Sequence, residues 1–113
     1  MSDNASPQAS NKLVLIADDM RLNREILGQM VSNIGLETAF ACNGYEAVEK
    51  FHKLNPSLVL MDINMPEMDG IEATRQIKEL AGSTFIPIIF VSGAEGQDVI
   101  RNAIDAGGDD YIA

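Results

Sequence analysis

The sequence predicts an α/β fold, a doubly wound sheet of five parallel strands in the order 2-1-3-4-5. Three observations predict it. Apolar runs without polar alternation, of which Leu58-Val59-Leu60-Met61 is the clearest, suit strands buried on both faces of a parallel sheet. Stripes at helical spacing separate these runs, giving β-α-β-α-β-α-β-α-β with short connections and no repeat or internal linker. The first and third runs end directly in aspartate. Open α/β sheets place their chemistry at the carboxyl ends of the strands, so for those ends to meet the two strands must be neighbours.

Taken in order, residues 12–17 (Lys-Leu-Val-Leu-Ile-Ala) form the first strand and lead into Asp18-Asp19. Leu22, Ile26, Leu27, Met30, Val31 and Ile34 make one apolar stripe on a helix that Gly35 stops. Residues 36–42 are a shorter, more polar strand, as at a sheet edge. After Asn43-Gly44, Ala47, Val48, Phe51 and Leu54 give a second stripe, closed by Asn55-Pro56.

The third strand ends at Asp62. Pro66 cannot donate to a ladder, so the strand is over by then, and Gly70 opens a helix outlined by Ile71, Thr74, Ile77, Leu80 and Ala81. Residues 86–91 form the fourth strand, with Pro87 near its start, and end on Ser92-Gly93. Val99, Ile100, Ala103 and Ile104 outline a fourth helix capped at Gly107-Gly108, and residues 111–113 open a fifth strand.

A chain of 113 residues builds one compact core and not two. Residues 1–11 read as a disordered polar tail without a signal peptide, and residues 12–113 as the domain. No stretch approaches the roughly 20 apolar residues needed to cross a membrane. The net charge of -9 argues against direct binding to nucleic acid, whose phosphates would be repelled, and leaves cations and basic protein surfaces as ligands. A single cysteine, Cys42, excludes an internal disulfide; it is expected as a buried, inert thiol in a reducing cytoplasm. His52 is expected on a helix surface, Met65 and Met68 in loop packing, and Asp109-Asp110 in a solvated turn.

If Asp18, Asp19 and Asp62 share one crevice, three carboxylates cannot all stay ionised without a compensating cation. Oxygen ligands at a small site suit Mg2+, which keeps several waters and commonly shares its shell with a phosphate. Aspartate is a covalent acceptor of phosphoryl groups, and such transfer is mostly positioning plus charge neutralisation. Ser92 is placed to donate a hydrogen bond to a phosphoryl oxygen, and Asn64 to offer a backbone carbonyl to the metal.

With these residues in view, the sequence resembles a receiver domain of a two-component response regulator, a flavodoxin-like fold related to chemotaxis regulators. The matching motifs are Ala17-Asp18-Asp19, residues 61–70 (Met-Asp-Ile-Asn-Met-Pro-Glu-Met-Asp-Gly), Val91-Ser92-Gly93, and residues 106–112 (Ala-Gly-Gly-Asp-Asp-Tyr-Ile). They run in family order through residues 12–113. The resemblance implies that Asp62 is the phosphoacceptor, with Asp19 the direct metal ligand and Asp18 acting largely through water. Asn64 matches the carbonyl donor to Mg2+, Ser92 the switch hydroxyl, and Tyr111 the aromatic that changes rotamer with it. It implies a histidine kinase or histidine phosphotransfer protein as phosphoryl donor, an unidentified downstream protein, and a switch in place of a multiple-turnover enzyme.

One departure stands out. The family carries a lysine and then a proline just past the position of Ala113, and a fifth helix beyond. The reading is therefore of a domain cut short before the end of strand five and helix five. Lys12 lies at the wrong end of the first strand, and Lys50, Lys53 and Lys78 are expected on outer helix faces. A genuine end here predicts an exposed apolar edge and either a dimer through it or a loss of stability. Two other function classes remain. A degenerate receiver would act only as a protein-binding module. An aspartyl-nucleophile phosphatase would want a second aspartate where Asn64 stands, and its nucleophile after the first strand.

Overall fold

The computed structural model describes residues 12–91, 101–102 and 104–112, with residues 110 and 111 through their backbone. The elements are β1 (Leu13–Ala17), α1 (Arg21–Asn33), β2 (Glu37–Ala41), α2 (Gly44–Leu54), β3 (Leu58–Met61), α3 (Gly70–Ala81), β4 (Ile88–Val91) and β5 (Asp110–Ile112). Residues 101, 102, 104 and 105 are helical. The sheet runs β2-β1-β3-β4-β5 with every neighbouring pair parallel. This is the predicted order, with β1 and β3 side by side.

Alternate residues of each strand serve opposite layers, as the two-residue period of a strand requires. Leu15, Ala17, Val59, Met61, Ile88 and Phe90 face α2 and α3, which contribute Ala47, Phe51, Ala73 and Ile77 to the larger core. Val14 and Ile16 face the other way, onto Val31 of α1, with Leu27, Phe40, Leu58 and Leu60 partly buried around them. The first strand is buried on both sides: Val14, Leu15, Ile16 and Ala17 are each no more than 1% exposed.

Two helices cover one layer and, among the described residues, α1 alone covers the other. The predicted stripe on α1 is accordingly only half used. Val31 and Gly28 are buried, but Leu22, Ile26, Met30 and Ile34 stay exposed, Ile34 at 73%. Leu27, Met30, Val31, Ile34, Leu60, Val91 and Ile112 line an apolar depression of about 360 Å³ beside the helix. The helix packs mainly on β1 and β2, at one side of the sheet, so among the described residues its far side borders that depression and is not packed in the core.

Helix starts follow local chemistry. The Asn43 side chain accepts from the Glu46 amide at the start of α2, and Glu46 reaches back to the Cys42 amide. The Asp69 side chain accepts from the Glu72 amide at the start of α3. Several boundaries shift. β2 loses residues 36 and 42 from the predicted strand, leaving Cys42 exposed and not buried as expected. β4 starts at Ile88, directly after Pro87, which has no amide to give to a ladder, and the Ile88 amide donates to the Asp109 side chain.

Three charged residues make contacts that the sequence did not suggest. Lys78 is not on an outer face: its ammonium donates to the Ile86 carbonyl and pairs with Asp109 at 3.0 Å. Asp109 stays solvent-exposed, as expected, but also bridges α3 and the start of β4. Lys50 likewise turns inward to donate to the Phe40 carbonyl. Lys53 behaves as predicted, an exposed partner of Glu49.

Candidate metal centre

Strand register brings the acids together. Ala17 pairs with Met61, so the next residues along, Asp18 and Asp62, leave the sheet side by side. The Asp62 amide donates to the Ala17 carbonyl at 2.8 Å, and the Asp18 amide to the Ala41 carbonyl at 3.0 Å, extending the ladder past the last formal strand residue. Neighbouring strands are about 4.8 Å apart, which sets the scale of the cluster. One carboxylate oxygen each from Asp18, Asp19 and Asp62 lies within 4.8 Å of the others. Asp18 is buried, Asp62 half-buried and Asp19 exposed, so the group opens to solvent on one side.

A donor set made only of carboxylates at this spacing fits a hard divalent cation such as Mg2+, with water completing the shell. The mutual repulsion of three close carboxylates points to the same partner.

Asp18 is held at every polar atom. One carboxylate oxygen accepts from the Met20 amide at 2.9 Å and the other from the Asn23 side-chain amide at 3.3 Å. Its carbonyl accepts from the Arg24 guanidinium at 2.8 Å. Sequence reasoning missed Asn23 and Arg24. They sit in the first turn of α1, where polar residues are the ordinary solvent-facing choice, and no local signal marks them.

The loop after Asp62 folds back on the core. Ile63, Met65 and Met68 are buried, the two methionines in the packing role expected of them. Asn64 is exposed between them, two residues past Asp62. The Met68 amide bonds to the Pro66 carbonyl around Glu67, whose φ is 70°, a positive-φ γ-turn. The Gly70 amide donates to the Ile63 carbonyl, and the Gly44 amide to the Met68 carbonyl, tying the loop to α3 and α2. A side chain at Gly44 would collide with that carbonyl, its β-carbon 2.3 Å from the oxygen.

Of the other predicted site residues, Tyr111 pairs with Phe90 through its backbone in β5. Its side chain, and Ser92 entirely, lie outside the described residues. Among the described lysines, Lys50, Lys53 and Lys78 are engaged elsewhere, and Lys12 is exposed beside the amino end of β1.

Comparison with known proteins agrees with this geometry. The family model for the response regulator receiver domain matches residues 14–113. Chemotaxis protein CheY of Thermotoga maritima is 42% identical over 102 residues, covering 89% of this chain and 83% of that protein. CheY of Bacillus subtilis is 41% identical over 100 residues, covering 88% and 82%. A receiver-like match also falls within the autoinducer 1 sensor kinase/phosphatase LuxN of Vibrio harveyi, 38% identical over 95 residues but only 11% of that much longer protein. Among solved structures, the response regulator domain of Thermotoga maritima CheB aligns with a TM-score of 0.80 at 33% identity, covering 90% of this chain and 77% of that one. The CheX–CheY–BeF3–Mg2+ complex of Borrelia burgdorferi aligns at 0.80 and 30% identity, covering 89% and 76%.

Proposed function

Because the chain belongs to the response regulator receiver domain family, we propose that it is a phosphorylation-controlled switch in which Asp62 is the acceptor. The observation that carries this reading is the convergence of Asp18, Asp19 and Asp62 at the carboxyl ends of two adjacent strands. Asp62, half-buried at the mouth of the cluster, is the acid with both a fixed backbone and open access.

In the proposed step a carboxylate oxygen of Asp62 attacks phosphorus in a phosphohistidine of a kinase or phosphotransfer protein. A P–O bond forms, the P–N bond breaks, and the departing imidazole takes up a proton, leaving an aspartyl phosphate. Mg2+, held by Asp18, Asp19, Asp62 and the Asn64 carbonyl, would offset the charge on the phosphoryl oxygens. The part played by this chain is to fix the acids: Asp18 is locked by Met20, Asn23 and Arg24, and Asp62 is anchored to β1. Ser92 and Tyr111 are assigned as switch hydroxyl and switch aromatic, coupling the new charge to the β4–β5 side of the domain.

The setting is cytoplasmic in this reading; among the described residues no helix is long and apolar enough to cross a membrane. A sensor kinase among the relatives, and a complex bearing a phosphoryl mimic and Mg2+ among the structural matches, support the kinase partner and the cation.

Acetyl phosphate labelling tests the reading. Wild-type chain should take up one phosphoryl group in Mg2+ and none in EDTA, and Asp62→Asn should take up none. Undiminished labelling of Asp62→Asn sinks the assignment. An unlabelled wild type that still binds a kinase would leave a protein-binding module in its place.

A further inference from the structure

We propose that Asn23 is a positioning residue for the divalent cation, acting through Asp18; the proposal rests on the reading above. Asp18 is 3% exposed, and its backbone is tied at both ends, to Ala41 and to Arg24. With the main chain fixed, what remains free is rotation of the carboxylate. The Met20 amide holds one oxygen, and the Asn23 amide holds the other from the first turn of α1. Asn23 is thus the side chain that stops Asp18 from turning about its last bond.

Two effects oppose each other. A donor on the carboxylate stabilises the cation-free state, which would weaken cation binding if the bond had to break. The same bond keeps Asp18 aimed at the cluster when repulsion from Asp19 and Asp62 would swing it away, which strengthens binding. At 3.3 Å the bond is long and weak as a competitor. In the reading above Asp18 acts on the cation largely through water, so the bond need not break. Preorganisation therefore wins, and Asn23 raises cation affinity without touching the cation. Sequence alone offers no such role, since an asparagine in the first turn of a helix is ordinary helix-start chemistry.

The test is isothermal calorimetry of the unphosphorylated chain with Mg2+, with melting in EDTA measured beside it. Asn23→Ala should raise the dissociation constant about 3- to 10-fold, the worth of one ordinary hydrogen bond, as the 3.3 Å length of this one warrants, while the EDTA melting temperature stays close to wild type. Asn23→Ser, which keeps a short donor, should recover part of the loss. In an Asp18→Ala background the Asn23→Ala change should have little further effect, because its route is gone. Unchanged affinity in Asn23→Ala, equal losses in both backgrounds, or a fall in EDTA melting that accounts for the weaker binding each overturn the role of Asn23. Wild type that binds no Mg2+ overturns the metal-centre reading itself, a separate result.

Discussion

Gly70 stands so close to Asp62 that a β-carbon at position 70 would lie 2.0 Å from the Asp62 carbonyl oxygen and 2.9 Å from its carbonyl carbon. The first residue of α3 is thus pressed against the backbone of the proposed acceptor. The obstacle is main chain, not a side chain able to rotate away. Gly70→Ala should therefore cost at the upper end of the overpacking range, about 3 kcal/mol, read as a shift in the urea midpoint. It should also slow acetyl phosphate labelling in whatever fraction remains folded, because relief of the clash has to move Asp62 or α3. A variant as stable as wild type would show that the helix start is more yielding than its packing implies.

Lys78 and Asp109 join α3 to the start of β4. The Asp109 carboxylate accepts both from the Lys78 ammonium at 3.0 Å and from the Ile88 amide at 2.8 Å. Exposed ion pairs contribute little, but here the carboxylate also satisfies a backbone donor at a strand end. Asp109→Ala should cost about 1–2 kcal/mol in urea denaturation, whereas Lys78→Met, which keeps the alkyl stem but removes the ion pair and the bond to the Ile86 carbonyl, should cost about 1 kcal/mol or less. Equal losses in the two variants would assign the stability to the contacts of the Lys78 ammonium and not to the capped Ile88 amide.

Much of this was legible because strand ends and acids share one sequence address. Apolar runs that stop at Asp18 and Asp62 specify both the burial of β1 and β3 and the place where their carboxylates emerge. The strand order then follows from requiring those acids to meet. What sequence did not show depends on contacts between distant segments. Asp109 looks like a turn residue until Ile88 and Lys78 are brought beside it. Met30 and Ile34 look like core until the position of α1 at one side of the sheet leaves them uncovered. Cys42 reads as an ordinary buried thiol, yet the strand ends one residue before it.

Asp18 and Asp19 are adjacent in sequence and should behave oppositely when removed. Asp18→Ala strands the Met20 amide and releases Asn23, so it should lower stability by about 1–2 kcal/mol as well as weaken Mg2+ binding. Asp19 is exposed and adds to the repulsion within the cluster. Asp19→Ala should leave the melting temperature in EDTA unchanged or slightly higher while raising the Mg2+ dissociation constant at least about 10-fold. Calorimetry is the suitable measurement, since the chain contains no tryptophan to report binding. Loss of stability in Asp19→Ala without loss of Mg2+ affinity would reverse the two roles.

Thr74 is fully buried on α3, and among the described residues its hydroxyl is the buried side-chain polar atom without a hydrogen-bond partner. A buried hydroxyl left unsatisfied costs about 1–3 kcal/mol, and valine keeps the same branched shape. Thr74→Val should raise stability by about 1 kcal/mol, measured from urea midpoints, with acetyl phosphate labelling unchanged. A loss of stability would mean that the hydroxyl meets a partner in solution, such as a buried water.

Glu67 carries the remaining local strain near the acceptor. Its φ of 70° places a residue with a full side chain in a positive-φ turn, between Pro66 and Met68. Such a backbone costs on the order of 1–3 kcal/mol for residues other than glycine. Glycine relieves that strain but gives back about 0.5–1 kcal/mol through the freer unfolded chain. The strain term is the larger, so Glu67→Gly should stabilise by roughly 1 kcal/mol, while Glu67→Val, branched at the β-carbon, should destabilise by at least that much. Both changes leave the buried anchors Met65 and Met68 in place, so a reversed order would show that the turn is held by the Glu67 side chain and not merely tolerated by it.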